Sequence, residues 1–300
     1  MGTPDFAVPS LNILLENGYN VVGVITATDK MGGRGKKKLI ESDVKKFALQ
    51  HNLPILQPKN LKAPAFIEEL RALKADLQIV VAFRMLPEVV WNMPPLGTVN
   101  VHGALLPKYR GAAPINWAVI NGEIETGVTT FLLKQEIDTG DILLKKAIPI
   151  GENETAGEVY NTLMHVGASA LLETVRLIES GKYTPLPQDD TLVTKAPKIY
   201  HETCKIDFHR NTLAIHNFIR GLSPYPTAWT TLADKKLKVF RTQKELIAHT
   251  HTPGIFLSDN KNFLKVATLD GFVHLLELQL AGKKRMETKA FLNGYTFEEV

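Results

Sequence analysis

The sequence predicts an α/β, doubly wound domain with a mostly parallel sheet, followed by a smaller, mostly β domain of OB-like barrel character. Three observations carry this. Short apolar runs alternate with helical patterns through residues 1–180, residues 181–200 lose all periodicity, and residues 201–300 consist mainly of short alternating segments separated by turn residues.

In the first region, Val21 to Thr26, Gln78 to Phe83, Thr98 to Val101 and Val128 to Leu133 are β-rich and nearly continuous in apolar character, as strands buried on both faces are. Between and after them, Ser42 to His51, Ala63 to Lys74 and Ala113 to Asn121 have helical spacing. Thr155 and Glu158 have capping-box spacing and open a long helix to Ser180. The start, Met1-Gly2-Thr3-Pro4-Asp5-Phe6, reads as the glycine turn and helix entry that ordinarily follow a strand, so a strand is expected before it. Gly181 opens a Pro-containing polar stretch that reads as a linker, and Lys236 to Arg241, Leu264 to Thr268 and Val273 to Leu280 read as strands beyond it.

Composition sets the class. The hydrophobic share is 44%, charged residues are 22%, and no apolar run approaches the ~18 residues of a membrane span. Without a signal-peptide pattern, a cytoplasmic protein is expected. The single Cys204 cannot form an internal disulfide, and the histidines lack metal-ligand spacing, so no metal is expected. Residues 181–300 carry 17 Lys+Arg against 12 Asp+Glu, while residues 1–180 carry 18 against 19. The basic part is therefore the second domain, as suits steering toward a polyanion or simply a solvated surface.

Three segments carry chemistry. Asn100 and His102 are two apart at a strand end, so both project to one side, where an amide donor beside an imidazole suits acyl transfer. An isolated Asn-x-His is also a common polar loop pair. Asp138-Thr139-Gly140-Asp141 offers a carboxylate that can orient an imidazole, or an Asx-turn. Gly33-Arg34-Gly35-Lys36-Lys37-Lys38 is a flexible cationic loop suited to phosphates; a phosphate-binding P-loop and a dinucleotide fingerprint are both excluded by spacing.

Taken together, Gly2-Thr3-Pro4-Asp5-Phe6-Ala7, Asn100 to Pro107, Arg110-Gly111-Ala112-Ala113-Pro114-Ile115, Glu125-Thr126-Gly127-Val128-Thr129 and Asp138 to Asp141 resemble the folate-dependent formyltransferases, and within them the methionyl-tRNA formyltransferases. The resemblance runs to Gly282-Lys283-Lys284-Arg285-Met286 and covers almost the whole chain. It implies a Rossmann-like catalytic domain, 10-formyltetrahydrofolate as co-substrate, initiator methionyl-tRNA as acceptor, and a monomer. It also implies Asn100, His102 and Asp138 as the catalytic constellation, and a folate pocket drawn from Val81 to Pro87, including Phe83, Arg84, Met85, Leu86 and Pro87, with Leu105, Leu106, Pro107, Thr139, Gly140 and Asp141. Arg34, with Lys36, Lys37 and Lys38, matches the loop that meets the tRNA acceptor end, and Pro224-Tyr225-Pro226 with Trp229 resembles the start of a tRNA-binding domain.

Ala104 stands where the family usually has Ser, and Ala82 to Pro87 replaces a Tyr-Gly version. Formyltransferases acting on amino sugars or glycinamide ribonucleotide share the same chemistry, but the cationic loop and the basic second domain favour tRNA. A silent RNA-binding protein would explain the charge but not the Asn/His/Asp set, and a folate-deformylating hydrolase would need no basic arm.

Overall fold

The computed structural model describes residues 1–32, 35 and 38–297. Two compact units divide the chain: Met1–Gly111 with Gly127–Ile148 and Tyr160–Lys195, and Ala112–Thr126 with Pro149–Val159 and Ala196–Val300.

The first unit is built on the expected sheet. Strands β1 (Val24–Ile25), β2 (Lys30–Gly32), β3 (Lys38–Ile40), β4 (Ile55–Leu56), β5 (Gln78–Val81), β6 (Thr98–His102), β7 (Arg110–Gly111), β8 (Glu125–Leu132) and β9 (Ile142–Pro149) follow in chain order. β1 pairs β4 in parallel, β5 pairs β6 in parallel, and β6 pairs β8 antiparallel with β9 beyond it. Met1 and Gly2 lie between β1 and β5: Gly2 N donates to Ile25 O at 3.0 Å and Val81 N donates to Met1 O at 2.9 Å. A Cβ on Gly2 would fall 2.6 Å from Ala7 Cβ, so glycine permits this close approach. A 3-10 turn at Asp5–Ala7 then leads directly into helix α1 (Val8–Glu16), the helix entry expected from the sequence.

The remaining helices of this unit are α2 (Asp43–Gln50), α3 (Pro64–Ala72) and α4 (Glu88–Trp91). Ser42 caps α2 by accepting from Lys45 N at 3.0 Å, and Pro64 stands at the first position of α3, where its missing N–H costs nothing. Ile67, Leu70, Val80, Leu86 and Val90 fill the core between α3, α4 and the sheet.

The second unit contains α5 (Pro114–Ile120), the start of α6 (Ala156–Ser180), β10 (Lys195–Ala196) from its second residue, and α7 (Thr212–Gly221). The Thr155/Glu158 capping box forms as the spacing predicts, with Thr155 N donating to Glu158 Oε2 at 2.8 Å and Glu158 N to Thr155 Oγ1 at 3.3 Å. Five further strands, β11 (Ala228–Leu232), β12 (Lys235–Leu246), β13 (Phe256–Ser258), β14 (Leu264–Ala267) and β15 (Gly271–Leu280), pair antiparallel in the order β11-β12-β15-β14-β13. β16 (Met286–Glu287) adds to the far half of β15, and α8 (Thr288–Leu292) follows. The path is open, a curled half-barrel whose concave face packs Ile215, Ile219, Leu237, Leu264 and Leu275. The alternating pattern of this region does not announce helix α7. Cys204 is buried in the same core, and burial raises its thiol pKa.

Candidate active site

Asn100 and His102 share one face of β6, as their spacing predicts. Asp138 arrives by a less direct route. Because β8 runs antiparallel to β6, residues 133–141 leave the sheet at the amino end of β6, where Leu133 N donates to Thr98 O at 2.8 Å. The loop folds back over Phe131, the register partner of Asn100, and brings Asp138 Oδ2 to 3.7 Å from His102 Nδ1.

His102 and Asp138 are both buried. His102 Nε2 lies 2.9 Å from Tyr109 O, an acceptor only, so this nitrogen carries the proton of the neutral ring. Nδ1 is left facing Asp138, and a second proton taken there would lie against the carboxylate. Asp138 Oδ2 also accepts from Gly111 N at 2.8 Å. The half-buried Asn100 side chain makes no hydrogen bond among the described residues, which leaves its amide free to donate to a ligand.

Backbone strain concentrates around these groups. Ala82, Tyr109 and Asp138 have φ of 48°, 62° and 57°, the left-handed region that non-glycine residues avoid. Asp138 is held there by Gln188, whose Nε2 donates to both Asp138 O and Gly140 O at 2.8 Å. Gln188 Oε1 in turn accepts from Arg110 Nε at 3.0 Å and Nη2 at 2.8 Å. The stretch read as a linker thus supplies a site residue, and it is tied to β9 where Leu186 and Ile142 exchange backbone hydrogen bonds. Nothing in the spacing of residues 181–190 announces this.

The residues expected around folate fall into three places. Arg84, Met85, Leu86 and Pro87 line a cleft of about 920 Å³ with Lys59 and Lys62, while Phe83 packs on the core beneath. Leu106 is enclosed with Phe131 and Ile142, so its side chain faces no cleft. Its segment, with Leu105 and buried Pro107, is pinned by Thr129, whose Oγ1 donates to Ala104 O and accepts from Leu106 N. Thr139 caps back to Glu136 O, and Asp141 pairs with Lys134 at the surface.

Of the cationic loop, Lys38 is exposed on β3 opposite Gly32 of β2, between β1 and α2; Arg34, Lys36 and Lys37 lie outside the described residues. In the second unit Trp229 Nε1 donates to His201 O at 2.9 Å, with Lys236 Nζ 4.3 Å from its ring centre, and Tyr225 is exposed. Among the described residues no helix is long and apolar enough to cross a membrane, and no three metal-ligating side chains converge.

Comparison with known proteins decides the family. The pattern described as "Formyl transferase" matches residues 1–175, and "Formyl transferase, C-terminal domain" matches 198–296. A methionyl-tRNA formyltransferase of Bacteroides fragilis is 54% identical, covering 100% of this chain and 95% of its own length. The chain belongs to the methionyl-tRNA formyltransferase family. A second relative of that name, from Flavobacterium johnsoniae, is 50% identical over 100% of this chain and 96% of its own.

Among solved structures, the sugar 3N-formyl transferase WlaRD, crystallised with dTDP and 5-N-formyl-THF, superposes with a TM-score of 0.69 at 23% identity, covering 94% and 97% of the two chains. HypX from Aquifex aeolicus in complex with tetrahydrofolic acid gives 0.60 at 21%, over 81% of this chain and 43% of that one. At these identities the likeness is one of fold.

Proposed function

We propose that the protein transfers the formyl group of 10-formyltetrahydrofolate to the amino group of initiator methionyl-tRNA, supplying formylmethionyl-tRNA for translation initiation in the cytoplasm. The observation that carries the reading is the buried His102–Asp138 pair on the strand that also bears Asn100, whose amide makes no hydrogen bond among the described residues, in a chain matched end to end by relatives of that name.

The methionyl amine attacks the formyl carbon and a tetrahedral oxyanion forms. The new C–N bond remains, the bond from carbon to the folate nitrogen breaks, and the amine's proton passes to that nitrogen. No covalent enzyme intermediate is required. Asn100 donates to the developing oxyanion, a contribution whose loss typically costs roughly a hundred- to thousandfold in rate. His102 relays the proton: Tyr109 O fixes one N–H, and Asp138 stabilises the second when Nδ1 is protonated. Lys38, with Arg34, Lys36 and Lys37, contacts the acceptor-stem phosphates, and the basic C-terminal region, residues 181–300, supports the rest of the tRNA.

The test is formyl transfer from 10-formyltetrahydrofolate to methionyl-tRNA, beside uncharged tRNA and small amine acceptors. Transfer to a small amine sugar in preference to methionyl-tRNA would overturn the proposal.

A further inference from the structure

Among the described residues, strands β2 and β3 pair only with each other, in the register Lys30–Ile40, Met31–Leu39 and Gly32–Lys38. Lys30, Met31, Lys38, Leu39 and Ile40 are all exposed, so burial contributes little to the direction in which this pair projects. That direction is set at its feet. Asp29 directly precedes β2, Glu41 directly follows β3, and both carboxylates bind one ammonium: Lys45 Nζ pairs with Asp29 Oδ2 and lies 2.8 Å from Glu41 Oε1.

A rigid element carries this clip. Lys45 lies in the first turn of α2, whose Val44 and Ala48 are buried, and Ser42, the cap of that helix, shares a hydroxyl hydrogen bond of 2.7 Å with Thr26. Gln57 holds the foot of β2 as well, its Nε2 donating to Asp29 Oδ1 at 2.9 Å and to Ala27 O at 2.7 Å. The Lys45 and Asp29 side chains are 15% and 19% exposed, so salt screens them less than a pair at the open surface. Two carboxylates already match the Lys45 charge, which makes it a poor phosphate contact in its own right.

We propose that Lys45 is a positioning residue: by bridging Asp29 and Glu41 it aims the β2–β3 pair, with the exposed cations Lys30 and Lys38, at the phosphates of the acceptor. This rests on the methionyl-tRNA reading above. Without Lys45, Asp29 and Glu41 become two like charges that have lost their common partner, and their repulsion spreads the feet of the pair. A cation that must be brought to its phosphate from many directions binds at an ordering cost that a fixed one avoids. The competing role is direct, with Lys45 simply adding positive charge near the phosphates. The two roles predict opposite effects of neutralising Asp29.

The test is steady-state formyl transfer to methionyl-tRNA by the full chain and by Lys45→Met, Asp29→Asn and Lys45→Arg, with KM measured for both substrates and folding checked by unfolding curves. Lys45→Met should raise KM for methionyl-tRNA about tenfold while kcat and KM for the folate donor stay within a few-fold, because the groups on β6 and at Asp138 are untouched. Asp29→Asn should raise the same KM a few-fold: it removes a carboxylate that repels phosphates, but it also takes away half the clip. It keeps the side chain's shape and carries the test should Lys45→Met unfold. Lys45→Arg should stay within about threefold of the parent, because a guanidinium can meet both carboxylates. A parental KM for methionyl-tRNA in Lys45→Met overturns the proposal. So does a lowered KM in Asp29→Asn, which would assign the lysine to direct charge, and so does a loss spread over kcat and the folate KM, which would mark a purely structural role. If the parent itself transfers no formyl group to methionyl-tRNA, the acceptor reading falls first and takes this proposal with it.

Discussion

Gln188 Nε2 donates to the Asp138 backbone oxygen at 2.8 Å, fixing from outside the loop a residue whose φ of 57° is costly to maintain. The same amide holds Gly140 O, and its oxygen holds Arg110, so every hydrogen bond of the side chain serves the Asp138 segment or a neighbour of the site. Gln188→Ala should therefore lower kcat about tenfold or more while KM for both substrates stays within a few-fold, since it misplaces Asp138 rather than removing a binding group. Gln188→Glu should fail to rescue: it keeps Arg110 but turns a carboxylate oxygen toward two carbonyls. A normal kcat in either variant would show that the loop holds Asp138 unaided.

The site residues themselves give sharper effects. Asn100→Ala and Asp138→Ala should each lower turnover at least about a hundredfold with methionyl-tRNA affinity within a few-fold, because both act in the transition state. Asp138→Asn should be nearly as slow, since the amide keeps the shape but loses the charge facing His102. His102→Ala should lower turnover comparably, since the proton relay is lost. Near-normal turnover in the Asn100 or Asp138 variant would sink the mechanism.

Much of this arrangement is legible in the sequence, and the parts that are not share a cause. The buried strands around Val80 and Val101, the Ser42 cap and the Thr155/Glu158 box are local signals, carried by residue type and spacing within a few positions. Asn100 and His102 are visible for the same reason. Gln188 and Tyr109 are not: one acts across 50 residues from an aperiodic stretch, the other through a carbonyl that any residue could supply. The path of Asp138 over the sheet face depends on β8 being antiparallel, which no local pattern encodes. Leu106 shows the converse, an apolar residue beside the motif that faces the core instead of the cleft.

Gly140 is fixed by space. A Cβ there would lie 1.6 Å from Leu132 O and 2.8 Å from the Phe131 ring, and the first of these is backbone that cannot rotate away. Gly140→Ala must displace the loop, and destabilisation of about 2–4 kcal/mol by denaturant unfolding is expected, together with loss of turnover. A variant as stable as the parent would mean that the Leu132–Gly140 approach is looser than the structure has it.

His216 on α7 predicts an acid limit to stability. It is 1% exposed, its Nδ1 lies 2.9 Å from Thr242 Oγ1, and its Nε2 has no partner among the described residues. Burial lowers its pKa from 6.5 to about 4, with Lys244 and Arg220 pushing the same way and Glu152 opposing. Between those values the unfolded chain binds the proton and the folded chain does not. The contribution is therefore complete above pH 6.5 and lost as pH falls toward 4, at most on the order of 3 kcal/mol. His216→Gln should flatten that part of the stability–pH curve measured by denaturant unfolding, while an unchanged slope would assign it to other groups.

The cationic loop decides between a tRNA acceptor and a small amine. Arg34, Lys36, Lys37 and Lys38 place four positive charges within five residues, a density that favours phosphates. Lys38 itself is exposed at the hairpin's end, so its ammonium is available to a ligand. Replacing all four with Ala should leave folate binding intact and weaken methionyl-tRNA binding. A phosphate that the variant no longer neutralises keeps its counterions, so the log–log salt dependence should flatten by roughly 0.7 to 0.9 for each such phosphate. Any turnover with small amine acceptors should barely change, because the transition-state groups on β6 and at Asp138 are untouched. If the quadruple variant binds methionyl-tRNA as tightly and with the same salt slope as the parent, the loop is only a solvated surface, and the acceptor must be sought among small-molecule amines.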